Sequence, residues 1–69
     1  MKWIILEDEL PKYDYEDQRA FKLFIRASNE RYYSGYSVTE YGITTFYQHN
    51  GRKILNVTHW AKIEPPKQD

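Results

Sequence analysis

The sequence predicts a mainly β domain, an antiparallel meander of about four strands closed by an Asn-Gly hairpin. Three observations predict it. Asn50-Gly51 separates two segments of strand-forming residues, and this dipeptide favours the positive φ angles of a tight hairpin turn. Two Trp, three Phe and seven Tyr are set against only three Gly and three Pro, a composition that strands favour. The chain has 69 residues, enough for one domain (1–69) with a small core.

Along the chain, Trp3-Ile4-Ile5-Leu6 is the longest apolar run, far short of the roughly 20 residues that span a bilayer. Residues 1–17 then hold two Lys against six acids, and the remainder carries eight Lys and Arg against four acids. An acidic arm lying against a basic sheet, or two faces of opposite sign, would both account for this asymmetry. Tyr15 to Ser28 fits two patterns. As a strand it sets Phe21, Leu23, Ile25 and Ala27 on one face. As one short helix between residues 14 and 28, giving a small α+β fold, it groups Phe21, Phe24, Ile25 and Ser28, with Asp14 as N-cap.

Arg31 to Tyr41 reads as a further strand, and Tyr41-Gly42 supplies a turn before Ile43. A two-residue loop at Asn50-Gly51 sets His49 against Arg52, Tyr47 against Ile54 and Phe46 against Leu55, so that Phe46 and Leu55 share a face. Both faces of this hairpin carry apolar bulk, so each needs cover or a partner. Glu64-Pro65-Pro66 ends regular structure, and 64–69 is expected to be a flexible tail.

Composition excludes several kinds of chemistry. There is no cysteine, which removes disulfides, thiolate catalysis and sulfur-ligated zinc. His49 and His59 lie on opposite arms of the hairpin and diverge, so no metal site is expected. No Gly-x-Ser-x-Gly elbow, phosphate-cradling Gly motif or facing carboxylate pair is present. No catalytic residue and no cofactor are expected, and the protein reads as a non-enzyme. A formal charge of zero argues against general polyanion binding. No basic start precedes a long apolar stretch, so a cytoplasmic protein with no membrane partner is expected.

Two anchors bracket the chain. Trp3-Ile4, an acidic stretch and Leu10-Pro11 stand near the start, and Val57-Thr58-His59-Trp60 followed by Pro65-Pro66-Lys67 near the end. This pattern resembles the small phage and prophage family numbered 551 among the domains of unknown function. That family opens with Trp-Ile and Leu-Pro and closes with Thr-His-Trp and Pro-Pro. The middle, 18–56, matches only as an apolar strand followed by a hairpin, and lacks the family's usual Gly-rich turn. The resemblance implies a phage or prophage setting in a bacterial host cell. It offers no catalytic residues, and on its strength the strand is preferred over the helix for 15–28. The recurring aromatic positions fit a scaffold in which Trp3 and Trp60 tie the termini together. Alternatively, Trp3, His59 and Trp60 line a pocket.

Binding is the remaining class. Arg31-Tyr32-Tyr33-Ser34-Gly35-Tyr36 interleaves a cation with three tyrosines, a composition of recognition surfaces, where Tyr gives contact area at low entropic cost and Arg adds bidentate hydrogen bonds. Arg31, Tyr32, Tyr33 and Tyr36 are therefore the candidate contact residues. The leading expectation is an accessory protein that docks on a host protein, blocking a defence system (as an anti-CRISPR-like inhibitor would) or redirecting host machinery. The first alternative is a small-ligand or signalling-nucleotide sponge acting as a homo-oligomer, since so short a chain rarely encloses a ligand pocket alone. The second is a single-strand nucleic-acid binder, stacking bases on the tyrosines.

Overall fold

The computed structural model describes residues 2–63; the tail expected to be flexible lies outside them. Six antiparallel strands form one sheet, and the described residues contain no helix. The strands are β1 (Ile4–Ile5), β2 (Arg19–Ala27), β3 (Tyr32–Glu40), β4 (Ile43–Gln48), β5 (Lys53–Ile54) and β6 (Val57–Lys62), in the spatial order β1-β6-β2-β3-β4-β5. The meander β2-β3-β4-β5 is thus as expected. The chain then returns to the far side of β2, where β6 and β1 extend the sheet.

That order forces the sheet to roll. In a flat sheet β5 and β6 would stand four spacings apart, about 19 Å. Yet only Leu55 and Asn56 join them, and three residue steps reach about 11 Å at most. The sheet therefore curls into a half-barrel whose edges are the two-residue strands β1 and β5. The return is pinned where the Ser28 amide donates to the Asn56 carbonyl at 2.8 Å.

The concave face holds the core: Ala20, Leu23, Ile25, Ala27, Phe46, Ile54 and Trp60, with Ile4, Leu6, Tyr13, Tyr33 and Val57 packed against it. Ser37 and Thr39 are buried on the same face, and the Thr39 hydroxyl shares a 2.9 Å hydrogen bond with that of its cross-strand partner Thr44. Two bulges set the phase. One lies between Ala20 and Leu23, where Lys22 has φ 60°. A bulge shifts side-chain alternation by one residue, so Ala20 turns inward and Phe21 outward. This corrects the expectation that Phe21 shares a face with Leu23 and Ile25. The second shift, between Arg26 and Ala27 against β6, turns Val57 inward.

The hairpin at Asn50-Gly51 is longer than expected. Phe46 pairs with Ile54 and Tyr47 with Lys53, and the Gln48 amide donates to the Arg52 carbonyl. The loop therefore holds three residues. Gly51 donates to the Gln48 carbonyl at 2.9 Å and has φ 86°, while Asn50 Oδ1 accepts from the Arg52 amide. This is the turn-plus-glycine-bulge form of hairpin, and it moves the register by one residue. Ile54 enters the core at 6% exposure, and Leu55, expected beside Phe46, is 65% exposed. The two-residue turn with both φ angles positive occurs instead at Tyr41-Gly42 (φ 51° and 77°), between the paired Glu40 and Ile43.

Candidate functional site

The convex face carries aromatic rings in two groups. In the first, Tyr36 lies between Phe21 and Tyr47, with ring centroids 5.8 and 5.4 Å away; the Tyr36–Tyr47 pair is stacked at 21°. Cross-strand register brings Tyr36 opposite Tyr47, and the Lys22 bulge swings Phe21 alongside. In the second, Trp3 packs on Tyr32 at 5.8 Å and the Arg26 guanidinium stands 6.0 Å from the Tyr32 ring centre. Arg26 is opposite Tyr32 on one side and His59 on the other, with Ile5 paired to His59 beyond. Phe24 and Ser34, a facing pair, lie between the two groups.

Hydrogen bonding fixes the second group. The Thr58 hydroxyl donates to the Arg26 carbonyl at 3.2 Å, and His59 Nδ1 lies 3.0 Å from the same hydroxyl oxygen. The Thr58 hydroxyl thus links the Arg26 carbonyl to the His59 ring. Arg26 Nε is buried and has no hydrogen-bond partner, whereas buried donors are normally satisfied. The cluster thus offers a cation beside the Tyr32 ring, an imidazole and the Trp3–Tyr32 pair, a combination suited to a group with both apolar and acceptor surface.

The candidate contact residues divide between the two faces. Tyr32, 66% exposed, and Tyr36 lie on the convex face. Tyr33 points the other way and packs against the core, as alternation along β3 requires; it leaves the contact set. Arg31 is exposed just before β3, with its amide bonded to Asn29 Oδ1. Trp3, His59 and Trp60 do not line one pocket. Trp60 faces the core at 7% exposure and its Nε1 donates to the Glu9 carbonyl at 2.8 Å, while Trp3 and His59 belong to the convex face. For the same reason the two tryptophans do not pack on each other: Trp60 anchors the acidic loop, and Trp3 covers Tyr32.

Sequence reasoning missed Phe21, Arg26 and Tyr47. Arg26 and Tyr47 follow from strand pairing once the register is known, but the outward turn of Phe21 depends on a bulge with no glycine to announce it. The strands carry Arg19, Lys22, Arg26, Lys53 and Lys62 against the single acid Glu40, so neutrality of the whole chain conceals a cationic sheet. Among the described residues no group of three or more His, Asp or Glu converges as metal ligands would, and no helix is long and apolar enough to cross a membrane. No family model, no curated protein and no solved structure matches the chain.

Proposed function

We propose that this protein is a non-enzymatic binding module of phage or prophage type that docks on a host protein through its convex aromatic face. One observation carries the docking: a sheet with only a small core leaves Trp3, Phe21 and Tyr32 among its exposed large side chains, ordered into packed groups with Tyr36 and Arg26. Contiguous aromatic surface of this kind is unfavourable in water unless a partner covers it, and Tyr, Trp and Arg are the side chains that dominate interface energies. The resemblance carried by Trp3-Ile4, Leu10-Pro11 and Thr58-His59-Trp60 supplies the setting. In that setting the role is to act in the host cytoplasm, blocking a defence system or redirecting host machinery.

The test is affinity capture from lysate of a bacterial host, followed by titration of the recovered partner. Tyr32→Ala with Tyr36→Ala should weaken binding at least tenfold, whereas Tyr15→Ala, in the loop before β2, should leave it unchanged. Capture of no saturable partner, or equal binding by all variants, overturns the proposal. The cationic strands favour a second reading, a single-strand nucleic-acid platform on the same rings. It requires oligonucleotide binding that weakens with salt, which the protein-docking reading does not.

A further inference from the structure

At the open end of the half-barrel, where β6 finishes, the N-terminal arm and the start of β2 enclose a cleft of about 860 Å³. Its apolar lining includes Ile4, Pro11, Phe21, Leu23, Phe24 and Trp60, and Lys2, Lys12, Arg19 and Lys62 contribute four cations against one carboxylate, Glu9. Continuing the Ile4–Trp60 pairing outward sets Lys2 beside Lys62, and like charges facing each other across a ladder are destabilising. The loop carrying Glu9 is held over this end by the Trp60 indole, so the cleft is a built feature of the closed loop. Its volume lies within the ordinary range of small-ligand sites, which favour barrel mouths and combine an apolar lining with a few convergent polar groups.

We infer that this cleft binds a nucleoside phosphate, with the ring system against the apolar lining and the phosphate among Lys2, Lys12, Arg19 and Lys62. An inorganic anion alone would use the cations and leave the apolar lining empty, and an uncharged aromatic would leave the cations facing one another. One chain supplies the whole cleft, so no second subunit is needed to complete it. The cleft borders the convex face through Phe21 and Phe24, but none of its cations belongs to the Tyr32–Tyr36 contact set, so anion binding there is tested apart from docking.

Calorimetric titration of the full chain with ADP, adenosine and inorganic phosphate tests the inference. ADP should bind saturably, and adenosine and phosphate each at least about tenfold more weakly, the loss of one charge-assisted contact set. Lys12→Gln with Arg19→Gln should reduce ADP affinity by about tenfold or more, and Lys62→Gln provides a second variant should the first lose its circular-dichroism signature. Tyr32→Ala, on the docking face and outside the cleft lining, should leave ADP binding unchanged. No saturable ADP binding, equal affinity in the charge variants, or stronger binding of a thymidine oligonucleotide that displaces ADP overturns the inference.

Discussion

Replacing Gly35 by alanine puts a methyl group where β3 and β4 run closest. An added Cβ would meet the Tyr47 carbonyl oxygen inside any allowed contact distance, with the Tyr47 carbonyl carbon at 2.9 Å and Gln48 Cα at 3.0 Å. All three atoms are backbone, so no side chain can swing away, and the Gly35–Gln48 end of the β3–β4 ladder must open. Overpacking of this kind costs about 1–3 kcal/mol, and each stretched ladder bond about 1 kcal/mol more. The sum, about 2–5 kcal/mol, compares with a total stability of about 3–10 kcal/mol for a domain this size. It lowers the melting temperature by at least about 10 °C. Gly35 is not among the glycines with positive φ, so without the clash alanine would stabilise the strand by about 0.4–1 kcal/mol. Urea and thermal unfolding followed by circular dichroism therefore decide on sign alone. A neutral or stabilised Gly35→Ala variant refutes the close approach.

Three other substitutions test separate parts of the architecture. Ile54→Ala should cost about 2–4 kcal/mol and Leu55→Ala less than about 0.5 kcal/mol in urea unfolding; the reverse order would restore the two-residue loop and its register. Trp60→Phe removes the indole donor and leaves the Glu9 carbonyl without that partner, so it should cost about 1–3 kcal/mol and speed amide exchange across residues 7–12, which an intact loop would not show. Gly42→Ala meets no atom within 4 Å but keeps a positive φ, so its cost by the same unfolding assay should be about 1 kcal/mol, smaller than that at Gly35.

The mainly β class and the central meander were legible because β2, β3 and β4 are long enough for period-two patterning to accumulate. Phase was not. The Lys22 bulge inverts alternation after Ala20, and the three-residue loop at His49-Asn50-Gly51 shifts β5 by one, two local events that reassign Phe21, Ile54 and Leu55 together. Both are backbone choices that no glycine pattern distinguishes: Lys22 adopts a positive φ without being glycine, and Asn50-Gly51 serves either loop length. The two-residue strands β1 and β5 are too short to show any period. For the candidate contact residues, Tyr32 and Tyr36 were legible from composition, and their spacing of four residues puts them on one face of a strand. Tyr33 as a contact residue and Trp60 in the alternative pocket failed for one reason, that both faces of these strands are apolar and hydrophobicity alone does not say which is inside; Trp60 as scaffold agrees with its place in the core.

Curvature explains why the aromatic excess lies where it does. Rolling a sheet crowds side chains on its concave side and spreads them on its convex side. Once Leu23, Ile25, Phe46, Ile54 and Trp60 have filled the inside, their concave neighbours along β2 and β3 are Ala20, Ala27, Gly35 and Ser37. Bulky rings at those positions would have to unroll the sheet, so Phe21, Tyr32, Tyr36 and Tyr47 have room only outside. Steric exclusion accounts for their absence from the core but not for their presence on the surface, since Thr or Lys would serve an exposed strand position with less apolar exposure. Nor does it account for an Arg26 Nε that is buried without a partner beneath Tyr32. Both features raise the free energy of the isolated domain, and under the docking proposed above a surface with apolar area for the rings and an acceptor for the guanidinium would relieve both. Fold stability therefore accounts for the concave residues and leaves the convex rings to the docking role proposed for them.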